Sequence, residues 1–97
     1  GSLILADDNA DMREYLFNIL SNDYSIIAVE NGRKVIDLIE GGLQPDLVLA
    51  DVMMPEMDGH VMVSTLKSHQ DFARIPVILL SARSGEDAKV EGIVAGV

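Results

Sequence analysis

Leu47-Val48-Leu49-Ala50-Asp51-Val52-Met53-Met54-Pro55-Glu56-Met57-Asp58-Gly59 is the stretch on which the reading of the fold turns. Four apolar residues in succession end in an acid, and the breakers Pro55 and Asp58-Gly59 follow within a few residues. A strand with no polar alternation is buried on both faces, the pattern of a parallel sheet with helices on either side. The acid then stands where the strand gives way to a loop.

The same pattern recurs on both sides of this stretch. Leu3-Ile4-Leu5-Ala6 runs into Asp7-Asp8-Asn9, and Val77-Ile78-Leu79-Leu80, led in by Pro76, runs into Ser81-Ala82-Arg83. Tyr24 to Val29 is a further β-branched run. Between the strands the period changes from two to that of a helix. Met12, Leu16, Ile19 and Leu20 make one stripe after a cap at Asn9 or Asp8. Val35, Ile36, Leu38 and Ile39 make a second, opened by Asn31-Gly32 and closed by Gly41-Gly42. Val61, Met62 and Leu66 make a third that runs out near His69. Ser84-Gly85-Glu86-Asp87 has capping-box spacing and predicts a fourth helix, with Ala88, Val90 and Ile93 on its buried stripe. Strands alternating with helices predict an α/β domain with a parallel sheet and helices on both faces.

Bulk properties bound the function. At 97 residues and 48% hydrophobic content the chain is long enough for one small core and too apolar for a disordered tail. Its net charge of −9 repels phosphate backbones and anionic bilayers, which speaks against direct nucleic-acid binding and membrane contact by this segment. No apolar run approaches bilayer-spanning length. The absence of cysteine removes disulfides and thiolate metal sites and fits a cytoplasmic setting. Gly1-Ser2, directly before the first apolar run, reads as a cloning scar, leaving residues 3–97 as the domain.

In an open parallel sheet, ligands bind beyond the carboxyl ends of the strands. That rule selects Asp7, Asp8, Asp51 and Ser81, each following an apolar run. Three carboxylates brought together repel one another, and a hard divalent cation relieves the repulsion. Oxygen donors without His or Cys suit magnesium, and a carboxylate beside bound magnesium can act as a nucleophile toward a phosphoryl group. Taken singly, the same residues have plainer readings. Asp58-Gly59 is an ordinary turn, Asp7-Asp8 a helix cap with a solvated acid, and Ser81 a local backbone partner. His60 and His69 lack ligand-spaced partners, and Met53, Met54 and Met57 suit gap-filling and loop contacts.

Asp7-Asp8, the run Asp46 to Pro55, Asp58-Gly59 and Ser81-Ala82 together resemble the receiver domain family of response regulators, over essentially the whole chain and in the family's order. The resemblance implies a flavodoxin-like (CheY-like) doubly wound sheet of strand order 2-1-3-4. It makes Asp51 the phosphoacceptor, a non-enzymatic signalling role served by a histidine kinase or phosphotransfer domain. Asp8, Asp51 and the Met53 carbonyl would bind Mg2+ directly and Asp7 through water, and Ser81 would hydrogen-bond the phosphoryl group. Asp11 to Tyr15 and Ser81 to Arg83 are similar to receivers of hybrid histidine kinases.

The chain departs from the family pattern beyond Val97, where the fifth strand, its Lys-Pro pair, the switch aromatic and the fifth helix would follow. Lys34, Lys67 and Lys89 all fall in predicted helices, so none matches the family's phosphate-binding lysine. A missing fifth strand would leave Val77 to Leu80 as an open edge available for pairing between copies. Two rival readings are a pseudo-receiver that binds partners without phosphorylation and an aspartate-nucleophile phosphohydrolase. The second needs an Asp-x-Asp after the first strand, which Asp7-Asp8-Asn9 does not supply.

Overall fold

A computed structural model describes residues 1–81 and 89–95, with Ser81 and 89–95 described by their backbone alone. The elements run β1 (Ser2–Ala6), α1 (Ala10–Leu20), β2 (Ser25–Val29), α2 (Gly32–Glu40), β3 (Leu47–Asp51), α3 (Gly59–Lys67), β4 (Val77–Ser81) and β5 (Lys89–Ala95). Strands β2-β1-β3-β4 pair in parallel in that order, as the sequence pattern and the resemblance predict. Each helix begins where a short polar side chain caps it. Asn9, Asn31 and Asp58 accept hydrogen bonds from the amides of Met12, Lys34 and Val61 at 2.9, 2.9 and 2.8 Å.

The strand order reverses direction after β2, so right-handed crossovers place α1 on one face and α2 and α3 on the other. Alternate residues of each strand serve alternate faces. Ile4, Ala6, Val48, Ala50, Val77 and Leu79 face α2 and α3 and form the main core with Val35, Ile36, Ile39, Met62 and Leu66. Leu3 and Leu5 point the other way and are buried too, yet α1 itself contributes no buried residue. β1 begins at Ser2, whose amide donates to Asp46 at 2.8 Å, while the Gly1 carbonyl accepts from Ser25. The two residues before the apolar run thus take part in the sheet.

The end of the chain differs from expectation. Residues 84–88, where the fourth helix was to start, lie outside the described residues, and Lys89–Ala95, assigned to its body, is instead a strand antiparallel to β4. The reason lies in the residues: Val90, Ile93 and Val94 are β-branched, Gly92 weakens a helix, and the β4 edge offers unpaired backbone groups. β5 therefore occupies the edge that was expected to be open, which removes the basis for pairing between copies there. Lys89 consequently lies in a strand rather than a helix, in register with Ser81. Among the described residues, no helix is long and apolar enough to cross a membrane.

Candidate functional site

The parallel register brings the ends of β1 and β3 side by side: Ala6 pairs with Ala50, so Asp7 and Asp51 are the next residues along neighbouring strands. The ladder continues past them, with the Asp7 amide donating to Val29 and the Val52 amide to Leu80, each at 3.1 Å. Asp8 follows at the start of the loop leading to α1. Carboxylate oxygens of Asp7, Asp8 and Asp51 all lie within 4.8 Å of one another. Asp7 is buried, Asp51 half-buried and Asp8 exposed, so the cluster has a closed floor and an open mouth.

The electrostatics follow from that placement. Burial, above all, pushes the Asp7 carboxyl above its ordinary 3.8, and the negative charges of Asp51 and Asp8 add to the rise. The Asn9 amide, 2.9 Å from Asp7 Oδ1, and the nearby Arg13 act in the opposite sense. Burial likewise raises Asp51, with Asp8 adding to it, against hydrogen bonds from the amides of Met53 and Val52. Like charge gathered in a partly dry site is the condition that a divalent cation relieves.

Asp7, Asp8 and Asp51 are thus brought together as predicted. Met53, in the loop after β3, is 76% exposed. Ser81 ends β4 one residue past Leu80, the register partner of Asp51, and its side chain lies outside the described residues. His60 is exposed on α3, and His69 stacks on Phe72 with ring centroids 3.9 Å apart, away from the acids. Asp58, read as a turn residue, is the α3 cap. Gly59 after it is required by space: a Cβ there would meet the Asp51 carbonyl at 2.7 Å.

One contributor escaped the sequence reading. Arg13 Nη1 donates to the Asp7 carbonyl at 2.7 Å, tying α1 to the turn that carries the acids. Arg13 lies four residues beyond the cap Asn9, one helical turn into α1, but a main-chain acceptor leaves no mark in the side-chain pattern.

The model of the response regulator receiver domain family matches residues 3–97. A histidine kinase of Formosa agariphila is 36% identical over 95 residues, which is 98% of this chain and 7% of that protein. The chain therefore spans less than a tenth of that kinase's length. The crystal structure of the signal receiver domain of a signal transduction histidine kinase from Syntrophus aciditrophicus superposes with a TM-score of 0.78 at 38% identity, covering 82% of this chain and 61% of that one. A response regulator solved in its Mn(2+)-bound form superposes with a TM-score of 0.74 at 25% identity, covering 90% of this chain and 70% of the other. With a family match over almost its whole length, the chain belongs to the receiver domains of two-component signalling.

Proposed function

We propose that Asp51 accepts a phosphoryl group from a phosphohistidine of a histidine kinase or phosphotransfer domain, and that the chain works in the cytoplasm as the receiver part of a longer signalling protein. The observation that carries this reading is the gathering of three carboxylates within 4.8 Å at adjacent strand ends, with Asp7 and Asp51 both pushed up. An Asp51 carboxylate oxygen attacks the phosphorus in line with the scissile P–N bond. That bond breaks, its electron pair goes to the imidazole nitrogen, and the nitrogen takes a proton from solvent. The product is an acyl phosphate on Asp51.

The donor set fits a hard divalent cation, being all oxygen and gathered closely enough for like charges to repel. Asp8, Asp51 and the Met53 carbonyl would hold magnesium, with Asp7 reaching it through water. When bound, the ion offsets the repulsion between the incoming phosphoryl group and the acids. Arg13 keeps the Asp7 turn in place, and the Val52 and Met53 amides orient the Asp51 carboxylate. Ser81 would donate its hydroxyl to a phosphoryl oxygen.

Incubation with acetyl phosphate and magnesium, followed by intact-mass measurement, tests the reading. One added phosphoryl group on the protein, absent from Asp51→Asn and after chelation of magnesium, is expected. No addition to the unsubstituted protein would favour a pseudo-receiver that acts by binding alone.

A further inference from the structure

We infer that Gly32 is a positioning residue for the loop between β3 and α3, acting through the first turn of α2; the inference rests on the metal-binding reading above. The loop, residues 52–58, carries the Val52 and Met53 amides that orient Asp51 and the carbonyl assigned to the metal. At its far end Met57 turns back on Pro55, its amide donating to the Pro55 carbonyl at 2.6 Å, and the intervening Glu56 adopts φ +63°. A non-glycine residue in that region needs surrounding structure to keep it there. Gly32 supplies the support, since its amide donates to the Met57 carbonyl at 3.0 Å.

Glycine is required here by space, because its φ lies outside the left-handed range. A Cβ on Gly32 would lie 2.7 Å from the Met57 carbonyl, 3.0 Å from Met62 Cβ and 3.2 Å from Met57 Cγ. Helix α2 has little freedom to retreat. Val35, Ile36 and Ile39 are at most 3% exposed in the core, and Asn31, 2% exposed, caps the helix from inside the fold. The loop, with Pro55 and Glu56 exposed, is the side left to yield, and its two ends are tied together by the Gly59 amide donating to the Val52 carbonyl at 2.8 Å. A push at Met57 is therefore carried toward Met53 and Val52, beside the nucleophile. Gly32 itself meets only Met57 and Met62 and acts on the site through the loop, so its role is one of placement.

The test compares Gly32→Ala with Ile39→Val, a core change on the same helix that leaves the loop contact intact. Magnesium affinity is followed by calorimetric titration, and the Val52 and Met53 amide resonances are followed by NMR without metal. Gly32→Ala is expected to weaken magnesium binding about tenfold or more, the scale seen when supports of metal ligands are removed, while Ile39→Val binds as the unsubstituted protein does. Equal affinity in the unsubstituted protein and Gly32→Ala would overturn the inference and leave the metal reading standing. If the unsubstituted protein shows no saturable magnesium binding, the metal reading fails. The amides then decide the placement role: resonances displaced only in Gly32→Ala support it, and unmoved ones overturn it. Should Gly32→Ala not fold, Asn31→Ala loosens the same turn without adding atoms, with several-fold weaker binding expected and unchanged binding overturning the inference.

Discussion

On the face beneath α2 and α3, the side chains of Ile4, Ala6, Val48, Ala50, Val77 and Leu79 are each at most 1% exposed, whereas on the face beneath α1 Leu47, Leu49, Ile78 and Leu80 remain half-buried. Among the residues whose burial is described, β1, directly under α1, is the one strand closed on both sides, through Leu3 and Leu5. Helix α1 meanwhile leaves Met12, Tyr15, Phe17 and Ile19 between 38% and 60% exposed. Asp51 follows Leu47 and Leu49 on the thinly covered face, in register with Leu80. One face thus supplies most of the packing that holds the strands, while the carboxylates are reached at the carboxyl ends of β1 and β3. Packing is concentrated beneath α2 and α3, and the chemistry sits at the strand ends rather than on either face.

Matched truncations give the largest expected effect. Leu79→Ala removes a fully buried side chain between β4 and the helices and should cost about 2–5 kcal/mol. Leu49→Ala, half-buried on the other face, should cost less than about 2 kcal/mol because solvent and neighbouring side chains can fill the space. Urea unfolding of the two variants would break the comparison if the costs came out equal.

Next in size is the charge cluster. Asp51→Asn removes one of three gathered charges, and without metal it should raise stability by up to roughly 1 kcal/mol, a gain of about 4–8 °C in melting temperature for a domain this small. A lower melting temperature would mean that the acids do not repel one another in the folded state.

The pH dependence sharpens the same point. Asp7 and Asp51 both have folded-state pKa values above the ordinary 3.8, so the folded chain holds their protons more tightly than the unfolded one. Their contribution is fully present below that ordinary value and is lost as pH rises through the folded-state values, so metal-free stability should fall over that interval. The profile of Asp51→Asn should be flatter, and superimposable profiles would assign the pH dependence to other groups. The smallest effect belongs to α1: Ile19→Ser, on its exposed side, should change stability by no more than about 0.5 kcal/mol. A larger loss would show that this face is closed more tightly than its exposure indicates.

The four parallel strands and the acids at their ends were legible because both faces of a parallel sheet demand unbroken apolar runs, and each run here stops at a polar residue. The caps were legible in type, though Asp58 passed for a turn residue because a short acid before glycine serves both purposes. Lys89–Ala95 was misread since Val90 and Ile93 fit a helical stripe as readily as a short strand; the unpaired edge of β4, a tertiary feature, selects the strand. Arg13 and Gly32 act through backbone carbonyls, at Asp7 and Met57, and no periodicity in side-chain type reveals a carbonyl partner. The half-buried state of the α1 face was equally hidden, because Met12, Leu16 and Ile19 have the spacing of a buried stripe whatever covers them.

Asp51 is the residue most directly open to test. After incubation with acetyl phosphate and magnesium, proteolysis and tandem mass spectrometry should locate one acyl phosphate at Asp51, labile to hydroxylamine. An acyl phosphate on Asp7 or Asp8 in place of Asp51, or phosphate carried by a serine or threonine instead, would contradict it.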